Sequence, residues 1–536
     1  MNRENNARSK GLPVIGNVFE SFQNLTNLIP VNDGNGTFIQ LSSEAYAQDL
    51  PLYSENTETT INITTTDHNI SQINDSFLIV NGTFTVRIPE ITATALTDDQ
   101  PFLFFGHKSS NQIFRQMRLL HNGKNTEYLS TESLREGFAY GVYKDANEKS
   151  AKKHTHTLYE DAADYNPGIC GTYVKLSNFK NGNKTAVVPF RYIVPLSDLL
   201  PLQAFSLYPS EICGALALRV NFTLRGLVWC QVPPAAVLEA ENYLNGTTLG
   251  ATIGTFLSVP FDHKFTQIGD AARIIDINTA GTAFETRTIA PIVDGFSITR
   301  LSCQHMGYGV KPDTMKAIYN MLQNQPILIP AQQLEFIKYA TALPGHSASY
   351  SASVSHVFTN AESISVVFPT TSNQFTAFRN PMINNFQLKI DGKLFPAIRM
   401  STNTDTSPEF LTFQLNASDL DGAIAPTKSL MYSLTENRHN SNGTRFAYSR
   451  FDDSDFILTM STERSQGGNV FDGLTTSGPV NVELRFDPLY TGAANVLYYD
   501  DFGNVNTQAP ELWICKDTFF IIGINKVNYI DNAAPK

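Results

Sequence analysis

Short runs in which hydrophobic and polar residues alternate dominate the sequence. Clear examples are Ala186 to Ile193, Phe386 to Ile390 and Val480 to Phe486. A period of two places successive side chains on opposite faces of a strand, so these runs predict half-buried β-strands. Many short strands separated by turn residues predict an all-β protein that is built from sandwiches or jelly rolls.

Two-residue turn sequences follow several of these runs. Asn81-Gly82 lies between Phe77–Val80 and Thr83–Ile88 and predicts a β-hairpin at that point. Asn122-Gly123 follows a strand that ends near His121, and Asp391-Gly392 follows a second strand of the same kind. These turns predict that consecutive strands pair in antiparallel fashion.

Predicted helices are few and short, as expected for insertions in loops. Ser133 and Glu136 have capping-box spacing and predict a helix towards Lys144. Pro234 to Leu244 has helical hydrophobic spacing and is followed by Gly246. A third helix is predicted over Asp313 to Gln323, with Asp313 as its N-cap.

The sequence carries a weak internal repeat. Residues 111–124 align with 380–393 at a shift of 269, and residues 216–222 align with 480–486 at a shift of 264. Two matches in the same order predict duplicated tandem domains, because the shift is far longer than the roughly 20–50 residues of solenoid repeats. The predicted organisation is an N-terminal arm over 1–36, a first jelly roll over 37–232, a connection with a short helix over 233–261, and a second jelly roll over 262–536.

Composition agrees with strands and limits the possible partners. Charged residues are 17% of the chain, below the usual level of about 25%, and the formal net charge is −11. A protein that wraps nucleic acid normally has a basic balance or a basic stripe. We therefore expect no direct sequence-specific nucleic-acid binding. No run reaches the roughly 18 apolar residues of a membrane-spanning helix.

Cysteine usage and the N-terminal sequence favour a reducing compartment. The five cysteines are widely spaced, which predicts buried free thiols and no disulfide framework; they are Cys170, Cys213, Cys230, Cys303 and Cys515. Residues 11–22 do not form a signal-peptide core, so the protein is expected to be made inside the cell and not secreted. The eleven Asn-x-Ser/Thr sequons are accordingly interpreted as unused.

Motifs for catalysis or cofactor binding are weak or incomplete. His154 and His156 could face one side of a strand and bind a metal, but a solvated loop is favoured because Lys152 and Lys153 adjoin them. The other partial motifs are attributed to chance or to turns, and they are Gly345 to Ser349, Asp452 to Asp455 and Asp501 to Gly503. We therefore predict no catalytic, cofactor or metal site, and no enzymatic activity.

Two stretches and one turn carry a family resemblance. Phe114 to Lys124 precedes a Tyr-containing insertion at Glu132 to Lys144, and Val188 to Pro201 leads into Ala215 to Leu224. Together with the turn Asp391 to Pro396, these stretches resemble double jelly-roll major capsid proteins. Such proteins belong to the adenovirus-like lineage of double-stranded DNA viruses, including virophage, polinton-like and adintovirus types.

The resemblance implies a structural protein of an icosahedral virion. Three chains would supply six jelly rolls, so that pseudo-hexameric, hexon-like homotrimers could tile the shell. It further implies contacts with neighbouring capsomers, with penton proteins and with minor or cementing capsid proteins, above a possible internal membrane. The alternatives are a tandem β-sandwich protein that binds carbohydrate as an adhesin, and a β-sandwich glycoside hydrolase with two carboxylates.

Overall fold

A computed structural model of the chain describes fifteen parts of the sequence. The described residues are 38–46, 57–89, 102–130, 133–137, 171–179, 185–203, 205–231, 265–277, 284–344, 348–370, 378, 383–401, 457–462, 473–488 and 506–530.

Within the described residues, fifteen strands lie before residue 311. In chain order they are β1 (Phe38–Tyr46), β2 (Glu58–Asn62), β3 (Ile70–Ser71), β4 (Phe77–Arg87), β5 (Phe102–Gly106), β6 (Phe114–His121), β7 (Lys124–Ser130), β8 (Gly171–Lys175), β9 (Thr185–Pro195), β10 (Leu216–Phe222), β11 (Val228–Gln231), β12 (Thr266–Gln267), β13 (Ala272–Ile277), β14 (Phe284–Ile289) and β15 (Ile292–Val310).

Nine further strands follow. They are β16 (Ile327–Lys338), β17 (Tyr350–His356), β18 (Ala361–Val367), β19 (Ile383–Ile390), β20 (Lys393–Ser401), β21 (Ile457–Ser461), β22 (Val480–Pro488), β23 (Glu511–Gly523) and β24 (Lys526–Ile530). The described α-helices are α1 (Ser210–Cys213), α2 (Pro312–Asn324) and the helical residues 133–137. Three 3₁₀ helices are Ser110–Ile113, Leu176–Phe179 and Leu196–Asp198.

The first jelly roll consists of two facing sheets. One has the order β1-β15-β4-β9 and the other β2-β10-β6-β7. If the eight strands of these sheets are counted along the chain, the orders are 1-8-3-6 and 2-7-4-5. This interleaving of early and late strands defines a jelly roll and not a meander, in which sequential neighbours would pair throughout. β5, β8, β11 and β12 form a separate sheet, and β13 and β14 form a hairpin.

The second jelly roll repeats the same topology. Its sheets have the orders β16-β23-β18-β21 and β17-β22-β19-β20, which are again 1-8-3-6 and 2-7-4-5. The fold is therefore all-β, with two tandem eight-stranded jelly rolls and short helices in the connections, as predicted.

The predicted repeat coincides with equivalent strands of the two rolls. β6 turns at Asn122-Gly123 into β7, and β19 turns at Asp391-Gly392 into β20. All four turn residues have positive φ, at 48° and 76° in the first turn and 51° and 74° in the second. Such pairs suit the type I′ turn, in which both central residues are left-handed.

Strand register refines the second part of the repeat. His121 faces Leu216 in the first roll, and Ile390 faces Val482 in the second. Leu216 thus corresponds to Val482 and not to Val480 as the alignment implies. The error of two residues leaves the predicted sheet face unchanged, because side chains alternate with a period of two.

The predicted hairpin at Asn81-Gly82 is wrong. Both residues lie within the continuous strand β4, which pairs with β9 on one side and β15 on the other. Gly82 is present because of close packing: a Cβ there would lie 2.3 Å from the Ser297 carbonyl oxygen and 2.5 Å from Cζ of Phe190. A strand glycine at a close approach resembles a turn glycine when only the sequence is read.

Helix α2 joins the two sets of sheets and differs slightly from its prediction. It begins at Pro312, with Lys311 at the N-cap and no side-chain cap, instead of beginning after Asp313. Pro312 favours this start because its fixed φ suits the first helical position, where its missing N–H is not needed. The predicted helix at 133–144 is seen over residues 133–137, and the predicted helix at Pro234 to Leu244 lies outside the described residues.

Strand pairing changes from one roll to the other at α2. β12 pairs with β11, and β15 pairs with β1 and β4, so these strands belong with the first roll. The second roll is predicted to start at residue 262, whereas β12 and β15 pair with strands of the first roll. Cys303 of β15 faces Leu78 of β4, and a local pattern does not reveal a pairing across so long a sequence separation. The predicted arm over 1–36 and connection over 233–261 lie outside the described residues.

Candidate functional site

The seam between the two jelly rolls brings together polar and aromatic side chains from both. The first roll contributes β7, residues 133–137 and residues 196–213. The second contributes β16, β23 and β24. Leu200 of the first roll packs in one buried cluster with Leu334, Phe378 and Trp513 of the second. The seam therefore covers the outer face of the β16-β23-β18-β21 sheet.

An aromatic cluster brings residues of the second roll into the hydrophobic core of the first. The ring of Phe520 lies 5.3 Å from that of Phe205, 6.0 Å from Tyr128 and 5.1 Å from Tyr529, measured between centroids. Tyr128 and Tyr529 meet edge to face at 5.2 Å. Phe520 is completely buried. Residues from both rolls thus occupy a single core, in which aromatic pairs add to the burial of apolar area.

A buried ion pair lies at the same seam. The Arg135 guanidinium is 3.5 Å from a Glu511 carboxylate oxygen and 3.9 Å from the centroid of the Phe336 ring. Trp513 donates from Nε1 to the same carboxylate oxygen, Glu511 Oε2, at 3.3 Å. Burial raises the pKa of Glu511, while Arg135 acts in the opposite direction. Since a buried charge without its partner is costly, this pair fixes how the rolls meet.

Side-chain amides complete the hydrogen bonds of the seam. Gln203 donates to Gln332 at 2.8 Å, and Gln333 donates from Nε2 to the Leu129 carbonyl oxygen at 3.4 Å. The backbone N–H of Asn525 donates to the Ile212 carbonyl oxygen at 3.1 Å. These bonds connect the first roll to β16 and to the β23–β24 turn.

The two equivalent sheets differ in how their outer faces are covered. All seven residues of β18 and the ten residues Glu511–Phe520 of β23 are buried, so both faces of that sheet are covered within one chain. β4 and β9 of the first roll instead alternate between buried and more exposed positions. The outer face of the β1-β15-β4-β9 sheet is therefore open in the single chain.

This open face, which we call the outer first-roll face, is lined by small polar and apolar side chains. The Thr83 and Ser297 hydroxyls hydrogen bond across it at 3.0 Å. Val187 on β9 faces Thr85 and is 65% exposed, the largest exposure among the described large hydrophobic residues. Arg191 lies on the same face as Val187, and Arg87 pairs there with Asp294 at 2.6 Å.

A charged cluster stabilises one end of the second roll. Glu335 lies 3.2 Å from His356 Nε2 and 2.5 Å from Lys516 Nζ. Contact with His356 and the hydrogen bond from Lys516 are the main causes that lower the pKa of Glu335 to about 2. A carboxyl group whose pKa is lowered on folding stabilises the protein at pH values above its unfolded-state pKa. This stabilisation is lost as pH falls towards its folded-state pKa.

We expect Glu335→Gln to lower the urea midpoint of unfolding at pH 6 and to have a smaller effect at pH 3. The reason is that wild-type Glu335 loses its advantage between the ordinary pKa of 4.5 and about 2. In a Lys516→Met background the same substitution should have less effect at pH 6, since one partner has gone. An equal loss at both pH values in the wild-type background would contradict the assigned cluster.

Most of the candidate motifs lie where the structure makes no description. His154, His156, Asp452 to Asp455 and Asp501 to Gly503 are outside the described residues, as is most of Gly345 to Ser349. Nowhere in the described ranges do three or more His, Cys, Asp or Glu side chains gather in a way that could hold a metal ion. Of the helices that are described, none is long and apolar enough to cross a membrane.

Four cysteines are free and buried, as predicted, and they are Cys213, Cys230, Cys303 and Cys515. Burial raises the pKa of Cys213 to about 12 and raises that of Cys303 as well. Cys170 lies outside the described residues. Among the sequons, Asn81 and Asn221 lie within β4 and β10 with buried side-chain oxygens, which disfavours glycosylation of these two.

Sequence reasoning located parts of the seam without recognising their role. The capping-box spacing predicted the short helix that carries Arg135 and Glu136, but nothing local paired Arg135 with Glu511. The chain contains 36 Phe and 21 Tyr residues, but the contact of Tyr128 with Phe520 depends on how the two rolls pack.

Solved structures with the same architecture come from DNA viruses and virophages. The cryo-electron microscopy structure of the Sputnik virophage matches with 11% identity, covering 94% of this chain and 90% of that chain, at a TM-score of 0.50. The mavirus major capsid protein matches with 10% identity, 95% and 92% coverage and a TM-score of 0.43. The Faustovirus major capsid protein matches with 10% identity, covering 92% of this chain and 92% of that chain, at a TM-score of 0.44.

Comparison of sequences gives no relative: no family model and no curated protein matches the chain. The assignment therefore depends on fold, namely the two repeated strand orders and the likeness to the Sputnik structure. On that evidence, the chain has the double jelly-roll fold predicted from its resemblance to the capsid proteins of this viral lineage.

Proposed function

We propose that the protein is a structural major capsid protein that assembles as pseudo-hexameric homotrimers in an icosahedral virion shell. The observation that carries the proposal is the pairing of two jelly rolls of identical strand order with one outer sheet face covered and its counterpart open. The fold shared with a virophage structure supports the same reading.

The contact within the chain provides the pattern for contacts between chains. Two different surfaces meet at the seam: the β7 side of the first roll and the outer β16-β23-β18-β21 sheet of the second. Such a heterologous contact generates a ring when its rotation closes. In the proposed trimer, the second roll of a neighbouring copy covers the outer first-roll face, and six rolls alternate around one axis.

The wider partners follow from this function. Trimers would meet neighbouring capsomers, penton proteins and minor or cementing capsid proteins in the virion, with an internal membrane beneath the shell as a further partner. Synthesis inside the host cell fits free thiols at Cys213, Cys230, Cys303 and Cys515. Direct recognition of nucleic-acid sequence and enzymatic activity are not part of the proposed role.

Light scattering on the purified full chain, with negative-stain microscopy, tests the proposal. We expect three times the mass of one chain and six-lobed particles. Val187→Arg should shift the population towards monomers by placing a charge on the outer first-roll face. Val357→Arg is the matched control, since Val357 is also exposed, at 43%, but lies outside that face.

Two results would overturn the assignment. Stable wild-type monomers at micromolar concentration that form neither trimers nor shells would exclude the assembly. Equal dissociation caused by the Val187 and Val357 variants would place the contact elsewhere than on the outer first-roll face.

A further inference from the structure

Two histidines are buried together in the first roll without serving the seam directly. His68 lies in residues 63–76, which connect β2 to β4, and His305 lies on β15. Their side chains are 2% and 1% exposed. The rings are close enough that charge on His68 lowers the pKa of His305.

Few hydrogen bonds compensate the burial of these rings. His305 Nε2 is 3.0 Å from the Asn62 carbonyl oxygen and therefore donates to it. His305 Nδ1 and both ring nitrogens of His68 have no hydrogen-bond partner within the part of the chain that is described. A Cβ at Gly307 would be 2.4 Å from His68 Nδ1, so the ring lies directly against the β15 backbone. The site accepts neutral imidazoles and has no ready solvation for charged ones.

The charged and titratable surroundings do not offset this cost. Asp67 raises the pKa of both rings, but burial is the larger influence and lowers both. Glu211 of α1 is engaged by the Asn69 side-chain amide at 2.5 Å. On β15, burial raises the pKa of Cys303 and of Tyr308, so both remain neutral at mildly acidic pH.

The segment that carries His68 is tied to residues that form the seam. Ser71 and Tyr208 exchange backbone hydrogen bonds at 2.8 and 2.9 Å, and Ser210 donates its hydroxyl to the His68 carbonyl oxygen at 3.1 Å. Two residues further along α1, the Ile212 carbonyl oxygen accepts the Asn525 N–H of the second roll. A displacement of residues 63–76 would therefore disturb a direct contact between the rolls.

We propose that His68 and His305 form an acid-sensitive latch: protonation of this buried pair releases residues 63–76 from β15 and loosens the seam through Tyr208 and α1. Protonated rings would gain solvation only by leaving their packed positions. The latch thus acts on the geometry between rolls, within each chain, and does not require that the capsid proposal be correct.

The pH range follows from the direction of the pKa shifts. Both histidines have a lower pKa in the folded state than in the unfolded state. The folded protein therefore has its full stability above the unfolded pKa of 6.5 and loses stability as pH falls below that value. This range is separate from that of Glu335, whose effect begins below 4.5.

Hydrogen–deuterium exchange on the full chain, at pH 7.5 and pH 5.0 with correction for intrinsic rates, tests the latch. We expect exchange in residues 63–76 and 205–213 to increase severalfold at the lower pH, because the buried pair destabilises the folded state once pH falls below 6.5. His68→Phe with His305→Gln should reduce the increase to less than twofold. His356→Gln, in the second roll, is the matched control and should retain the full increase.

If the double variant does not fold at pH 7.5, the single His68 variant tests the proposal. His68→Phe alone keeps an aromatic ring and loses no hydrogen bond, and it should remove a measurable part of the increase. Unchanged wild-type exchange between the two pH values would overturn the proposal, as would a full increase in the folded histidine variants.

Discussion

Phe520→Ala is expected to lower the free energy of unfolding by about 3–5 kcal/mol, as for other buried Phe-to-Ala substitutions. The side chain is fully buried and contacts aromatic rings from both rolls, with centroids 5.1 to 6.0 Å away. Truncation leaves a cavity between elements that belong to different sheets, where collapse is restricted. Urea denaturation followed by intrinsic fluorescence measures the loss.

Phe486→Ala is the matched control for this experiment. Phe486 stacks on Tyr350 at 4.7 Å inside the second roll and is 3% exposed. Both variants should lose comparable stability, but only Phe520→Ala should increase proteolysis of residues 205–213 under native conditions. Equal protection of that segment in the two variants would show that Phe520 does not couple the rolls.

Local pattern predicts those parts of the fold whose partners are close in sequence. The Asn122-Gly123 and Asp391-Gly392 turns join strands that pair immediately across them, so turn chemistry and register are determined together. α2 is similar, because its apolar spacing and Pro312 act within one element. Such features need no information about the rest of the chain.

Long-range pairing is where local pattern fails. β15 adds a last strand between β1 and β4, which determines where the first roll ends, but its sequence does not specify these neighbours. The Arg135–Glu511 pair has the same character, since each residue alone reads as an ordinary charged position. The internal repeat predicts the two-roll organisation, which local pattern does not, because a repeat relates two sets of strands to each other.

The seam also explains why the chain has so little surface charge. One outer sheet face is covered by the other roll, and its open counterpart carries Thr83, Ser297 and Val187 beside the Arg87–Asp294 ion pair. Low charge therefore reflects buried area within the chain as well as strand content.

Gly82→Ala is expected to destabilise the protein by about 3 kcal/mol, at the upper end for overpacking. The new Cβ would lie 2.3 Å from the Ser297 carbonyl oxygen, which belongs to the neighbouring strand and cannot rotate away. It would also lie 2.5 Å from the Phe190 ring, which stacks on Phe84 at a centroid distance of 4.4 Å. Relief therefore requires a shift of β4 against both of its neighbours. The measurement is the urea midpoint at constant m-value.

Gly295→Ala on β15 provides the comparison within the same pair of strands. Its Cβ would meet only the Thr85 side chain, at 3.3 Å, so a small rotation accommodates it. The loss should be well below that of Gly82→Ala. Similar small losses for the two variants would indicate that Gly82 has the conformational freedom of a turn, as its Asn-Gly sequence first suggests. A large loss at Gly82 alone would instead establish that this glycine is retained for the approach of Phe190 and the β15 backbone, which no turn propensity encodes.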